Sequence, residues 1–436
     1  MDNNFSLSYH NFMTNKKALF ILIALGIVTH FLFFGHPNQT VFDEVHFGKF
    51  VSGYYTHEYY FDIHPPLGKL MIAGFGKLFN FKPEFSFAEI GDKFPDSKYM
   101  ALRFLPSLAG ALIPAVIFLF ALEIGFSRQA AFAAGILIAL ENALLTQTRF
   151  MLMDGFLILF GFLALLFYFR KKMILAGVFA GLAISIKWTG LAFLAIMLIL
   201  EAVKIFKTYE LGRIWRTAVK LVLISILVYF AVFAVHFTIL NESGPGDAYM
   251  NPAFHSKNIL DKFIELNKEM YSSNKRLTAS HPYSSQWYSW PFMARPIFYW
   301  VDGNSRIYFL GNPIIWWAST VGMIMGLALI LFKKADKRIL FLAAAYFLNL
   351  LPFIGIKRVM FLYHYLIALI FAVLMLVYLI DGFGKLTASQ IKSRRKIFAG
   401  LIIISAIAFI YFAPLNYGLN LLPRAYEAKV WLSSWK

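Results

Sequence analysis

Eleven stretches of the chain stay apolar for about the 20 residues a helix needs to cross a bilayer. They lie near 17–35, 100–122, 130–147, 154–169, 173–187, 189–203, 218–238, 313–332, 339–356, 359–380 and 397–413. This pattern predicts an all-α integral membrane protein, a multi-pass helical bundle. Of the 436 residues, 59% are hydrophobic and 15% charged, where a soluble domain carries roughly 25% charged residues. A soluble globular enzyme and a disordered chain are both excluded. With no cysteine, there is no thiolate nucleophile, disulfide framework or Cys-ligated metal. The first stretch follows Asn15-Lys16-Lys17, but no small-residue cleavage site comes after it. It is therefore expected to stay as a span rather than leave as a signal peptide.

The formal net charge of +18 suits a nucleic-acid binder only in a hydrophilic frame. Here the frame is apolar, and no nucleic-acid partner is expected. Placing the N-terminal segment 1–16 in the cytoplasm puts 20 basic and 6 acidic residues on inner segments, leaving 21 and 17 elsewhere. The inner side thus carries +14 of the charge, as the positive-inside rule requires. The same map gives an N-terminal transmembrane module, 17–238, that includes an outer loop at 36–98. A second outer loop, 239–312, precedes a C-terminal four-helix module at 313–413 and an outer tail at 414–436. Polar chemistry concentrates on the outer face, and no internal repeat of the transporter kind is visible. The expectation is an enzyme of the cell membrane working at its outer surface. A lipid-linked sugar transporter is the distant alternative.

The first outer loop reads Phe42-Asp43-Glu44-Val45-His46-Phe47-Gly48, then Asp62-Ile63-His64-Pro65-Pro66-Leu67-Gly68-Lys69. Adjacent carboxylates just beyond a membrane exit, followed by His and Lys, are acid/base candidates, because partial desolvation raises a carboxylate's pKa. Solvated interfacial charge is the alternative. From Leu67 the apolar residues recur at three- and four-residue steps to Phe79, which predicts an amphipathic helix in the outer interface. Asn38-Gln39-Thr40 and Asn241-Glu242-Ser243 match the N-glycosylation pattern and are read as chance.

These two loop motifs resemble the first-loop signatures of the protein O-mannosyltransferases, GT-C glycosyltransferases that use polyprenyl-phosphate-mannose. Further pieces agree in order: Glu141 to Arg149 with Asp154, Gly181 to Gly190, Ser280 to Pro291, Arg295 to Trp300, Gly311-Asn312-Pro313 and Tyr363-His364-Tyr365. The resemblance implies a GT-C bundle of about 11 spans and transfer of mannose from the lipid phosphate to Ser or Thr of secreted or membrane proteins. Membrane lipids surround it, and a dimer is allowed. The relatives from eukaryotes carry a large soluble insertion in the second loop. The 74 residues at 239–312 leave no room for it, so the chain resembles a compact prokaryotic member. The alternative enzyme is a GT-C transferase moving another polyprenol-linked sugar to a lipid or cell-wall acceptor.

Such a transfer needs a base for the acceptor proton and positive charge on the departing phosphate; the phosphate leaves without a second carboxylate as acid. The resemblance implies Asp43 as the base, with Glu44 beside it orienting the loop or the acceptor. Arg103, one turn into the outward end of a span, is expected at the phosphate, with snorkelling as the alternative. Arg149 and Asp154, five apart, either pair with each other or face substrate. Lys187, Lys357 and Arg358 form an outer ring of cations suited to a lipid phosphate. His364 either donates to that phosphate or is a satisfied interior histidine. His46, His64, His281, Gln286, Trp287, Trp290 and Arg295 are expected at the substrate, the aromatics stacking on sugar or serving the interfacial belt. No metal or other cofactor is expected.

Overall fold

The computed structural model describes residues 13–208, 211–277, 280–382 and 387–436. The expected cytoplasmic segment lies outside them as far as residue 12, as does the inner-loop Lys385. In chain order the first half holds α1 (Asn15–Phe31), α2 (Glu44–Thr56), α3 (Leu67–Leu78), α4 (Tyr99–Glu123), α5 (Arg128–Ala139), α6 (Asn142–Thr148), α7 (Asp154–Phe169), α8 (Met173–Ile184), α9 (Leu191–Thr208) and α10 (Leu211–Ile239). Then come α11 (Ile259–Arg276), strands β1 (Ile297–Asp302) and β2 (Ser305–Phe309), α12 (Pro313–Leu331), α13 (Lys337–Leu350), α14 (Leu366–Asp381), α15 (Ala388–Tyr417) and α16 (Pro423–Glu427).

Every apolar stretch read from the sequence carries a helix, but not every helix is of spanning length. Among the described residues, six segments are long and apolar enough to cross a membrane: α4, α10, α12, α14, α15, and α13 with the turn after it. The stretch at 130–147 is a broken element, α5 and α6 meeting at 59°. The break falls at Glu141, whose carboxylate accepts the Ala143 N–H at 3.0 Å and the Asn312 N–H at 3.1 Å. A broken helix inside a bundle persists when other groups satisfy its freed backbone. α7 and α8 are shorter apolar helices.

Burial decides which helices form the centre. The apolar windows of α4 and α14 are each 72% buried, whereas those of α10 and α15 are 22% and 28% buried. α4 packs against α1, α5 and α7, while α14 packs against α12, α13 and α5. The C-terminal helices therefore share their core with the N-terminal ones. α3 forms where the sequence predicts it and packs on α4 and α2, which holds the outer loop down on the bundle.

The all-α expectation describes the bundle but misses a hairpin in the second outer loop. Ile297-Phe298-Tyr299-Trp300-Val301 is rich in aromatic and β-branched residues, and Asp302-Gly303-Asn304 supplies the turn, with Gly303 at φ +55°. The strands pair antiparallel, Phe298 opposite Tyr308 and Val301 opposite Arg306. The hairpin packs against α6 and α15, beneath the first outer loop.

Candidate active site

Asp43 stands at the start of α2 and its side chain does not cap that helix. Its carboxylate takes no hydrogen bond or ion pair from the described residues. Phe42 before it sits at φ +47°, a conformation a bulky residue holds only when its surroundings fix it. Its N–H donates to the Tyr299 carbonyl at 3.0 Å, and its ring stacks on Tyr299 at 4.0 Å and 3°. β1 thus presents Asp43. Burial pushes the Asp43 carboxyl up to about 7; Lys187 opposes this, and Asp154 and Asp62 add to it.

Glu44 is the opposite case. Its carboxylate is fully buried and accepts from Arg103 Nε at 2.7 Å and Nη2 at 2.6 Å, from the Val41 N–H at 2.9 Å and from the Met151 N–H at 3.0 Å. Arg103 spends its remaining reach on the carbonyls of Pro37, at 2.6 Å, and Gln39, at 2.7 Å. Its guanidinium lies 4.9 Å from the Tyr99 ring centroid and 5.0 Å from that of Phe150. The expected placement of Arg103 at a donor phosphate does not fit this geometry: the group is sealed and every nitrogen is engaged. The pair Glu44–Arg103 instead staples the loop that carries Asp43 onto α4, so Glu44 orients that loop and does not face an acceptor.

The cations Lys187, Arg358 and Lys69 collect around His64. Lys187, in the turn between α8 and α9, donates to both Asp154 oxygens at 2.9 Å, and its Nζ lies 5.3 Å from the Tyr363 ring centroid. Asp154 also accepts from Gln147 Nε2 at 2.7 Å. The expected pair between Arg149 and Asp154 is therefore not formed. Arg149 turns away to donate to the carbonyls of Leu32 and Phe33, both at 2.9 Å, with its guanidinium 4.4 Å from the Tyr417 ring centroid. Arg358 is half-buried, and its guanidinium donates no hydrogen bond to, and forms no ion pair with, the described residues. His64 is held well below its ordinary pKa by burial, then by Lys187, Arg358, Lys69 and His364, so it is neutral at pH 7. Lys69 is buried at the start of α3, bonded to the Asp62 carboxylate and, at 2.9 Å, to the His64 carbonyl.

Asp154, Lys187, Tyr363 and His364 form the polar end of a cavity of about 340 Å³. Apart from Thr189 and Asn349 its other walls are mainly apolar, including Leu157, Ile158, Leu191, Leu348 and Ile367. A charged end on an apolar groove between helices suits a lipid with a phosphate head.

The remaining predicted residues divide. His364 lines the cavity; its Nδ1 meets the Phe361 backbone, and its ring lies parallel to Trp290 at 5.8 Å and 11°. Trp290 is fully buried and its indole N–H donates to Ser285 Oγ at 2.9 Å. Expected at the sugar, it is instead the floor under His364. Arg295 also departs from its expected place: it holds the Pro282 carbonyl at 3.0 Å and those of Ser434 and Lys436 at 3.1 and 3.2 Å, anchoring the tail to the second loop. His281 is partly exposed and packs on Phe361 at 5.0 Å. His46, Gln286 and Lys357 are exposed, and Trp287 is partly exposed.

Residues 20–241 match the family model described as dolichyl-phosphate-mannose-protein mannosyltransferase. Residues 259–435 match the C-terminal four-transmembrane region of protein-O-mannosyltransferase. The chain belongs to the protein O-mannosyltransferase family. Dolichyl-phosphate-mannose–protein mannosyltransferase 4 of Candida albicans is 33% identical over 294 residues, 61% of this chain and 38% of the relative. Protein O-mannosyltransferase 1 of Drosophila melanogaster is 33% identical over 257 residues, 54% of this chain and 29% of the relative. The match thus spans well under half the length of these relatives. The fold is that of the protein O-mannosyltransferase Pmt1-Pmt2 complex of Saccharomyces cerevisiae, solved with its sugar donor. The TM-score is 0.92 at 20% identity, over 98% of this chain and 93% of that one.

Two residues at this mannosyltransferase-family site have no role in the sequence reading, Gln147 and Tyr299. Each lies inside a motif that carries the resemblance. The visible signal for Gln147 was an amide inside an apolar run, Leu144-Leu145-Thr146-Gln147-Thr148.

Proposed function

We propose that this chain transfers mannose from a polyprenyl- or dolichyl-phosphate-mannose to a Ser or Thr hydroxyl of a protein acceptor, with Asp43 as general base. The observation that carries this reading is the unpaired Asp43 carboxyl, held near neutrality, beside a cationic end of an apolar groove. The acceptor oxygen attacks the sugar's anomeric carbon while its proton passes to Asp43. The bond from that carbon to the phosphate oxygen breaks, and its electron pair leaves on the phosphate. Attack opposite the leaving group inverts the anomeric centre. Lys187 and Arg358 stabilise the departing phosphate, with His64 and His364 as further donors. The lipid tail lies along the groove below Lys187. Because these cations supply the positive charge, the reaction is proposed to need no metal ion, and activity in chelator equal to that without it is the expected result.

The same reading has the chain cross the membrane eleven times, with the N-terminus in the cytoplasm and the site on the outer face. The +14 on inner segments and the gathering of Asp43, Lys187 and Arg358 from three turns at one end of the bundle support it. The division into modules at 238/239 and 312/313 belongs to the same proposal. Pairing with a second chain is supported by the assembly of the yeast relative.

The test is to incubate membranes holding this chain with radiolabelled polyprenyl-phosphate-mannose and a Ser/Thr-containing peptide. Label on the peptide hydroxyls is expected. Label on lipid or polymer instead, or label moved without transfer, overturns the reading.

A further inference from the structure

Gln147 is buried on α6, and its amide has both ends occupied. Nε2 donates to Asp154 Oδ2 at 2.7 Å, and Oε1 accepts from the Tyr299 hydroxyl. At its far end, Tyr299 is the residue that stacks on Phe42 and accepts the Phe42 N–H. One continuous path therefore runs from the loop carrying Asp43, through Tyr299 and Gln147, to Asp154 and Lys187. Every link is a direct hydrogen bond or ring stack, and Gln147 and Tyr299 are each no more than 2% exposed. Neither Gln147 nor Tyr299 lines the cavity.

An amide is the side chain this position requires. It must donate to a carboxylate on one side and accept from a phenol on the other, which a carboxylate or an apolar residue cannot do together. Asp154 then keeps three charge-assisted bonds, two from Lys187 and one from Gln147, and Lys187 is held in one place. We propose that Gln147 and Tyr299 are positioning residues that set the separation between the Asp43 carboxylate and the Lys187 ammonium. This rests on the reading of Asp43 as base and Lys187 as phosphate partner. The path fixes both ends of an inline displacement, where small misplacements cost much rate.

The charged and titratable groups acting on Asp43 are Lys187 from the α8–α9 turn, Asp154 from α7, and Asp62 from the loop before α3. Asp43 in turn acts on the phenols of Tyr299 from β1 and Tyr363 from the turn before α14. A second carboxylate at position 147 would stand beside Asp154 and oppose ionisation of Asp43 further.

The experiment compares wild type with Tyr299→Phe, Gln147→Met, Gln147→Glu and Asp43→Asn in membranes, with folded protein quantified by thermal melting in detergent. Tyr299→Phe keeps the ring stack and removes only the hydroxyl, so it is the variant least open to misfolding. The expected result is a kcat loss of about tenfold or more for Tyr299→Phe and Gln147→Met, with donor and acceptor KM within about twofold. Gln147→Glu should move the acidic limb of the rate profile to higher pH. A wild-type kcat per folded molecule for Tyr299→Phe and Gln147→Met, with Asp43→Asn inactive, overturns this inference and leaves the proposed function standing. An active Asp43→Asn overturns both.

Discussion

Replacing Arg103 by Met is predicted to damage the fold of the first outer loop rather than the affinity for the lipid donor. The substitution leaves the Glu44 carboxylate buried with only the N–H groups of Val41 and Met151, and it orphans the carbonyls of Pro37 and Gln39. Removing one partner of a buried ion pair costs about 3–5 kcal/mol. Glu44→Gln leaves the guanidinium in the converse position and should cost a similar amount. The double variant removes both charges together. Its cost should be near that of one single variant, so the cycle should give a coupling energy of about 3 kcal/mol or more. The assay is reversible unfolding of the four proteins in mixed micelles, paired with donor KM measured in membranes. Additive costs, together with a donor KM raised only where Arg103 is lost, would refute this reasoning and return Arg103 to the phosphate.

Four further outcomes follow from the site. Arg358→Gln should raise the donor KM by roughly 10- to 100-fold, the size of a hydrogen bond to a charged group at about 1.5–3 kcal/mol, while the acceptor KM stays near wild type. The rate at low substrate should rise with pH through about 7, since Asp43 must lose its proton to act as base. Lys187→Met removes the cation that lowers the Asp43 pKa, so its rate profile should shift to higher pH. Trp290→Ala empties a fully buried site and should destabilise the protein by about 3–5 kcal/mol; per folded molecule it should leave sugar selectivity unchanged.

The positions of the helices were legible because hydrocarbon demands long apolar runs, and such runs are local in sequence. The break at Glu141 was not, because its partner is the N–H of Asn312, 171 residues away, and the run around it reads as continuous. The hairpin at 297–309 was legible only as a motif of resemblance, since a two-stranded element in a long loop has little periodicity to show. Arg103 illustrates the limit of depth arguments. Its place near the outward end of a span is readable, and a cation at that depth is costly unless paired, but its partner, Glu44, lies 59 residues away. Of the two readings open to Arg149 and Asp154, mutual pairing fails for the same reason: Arg149 is near in sequence, while Lys187, 33 residues on, is near in space. Asp43 was legible as a candidate from the two adjacent carboxylates, and what separates it from Glu44 is purely tertiary. One carboxylate is bonded on all sides and the other on none.

The central claim is that Asp43 takes the proton of the acceptor hydroxyl. The most direct measurement is single-turnover transfer by Asp43→Asn, at saturating labelled donor and acceptor, in membranes with equal folded protein. The account predicts a rate lower by about 10²- to 10⁴-fold, the usual contribution of a general base, with donor binding retained. A rate within about threefold of wild type would contradict it.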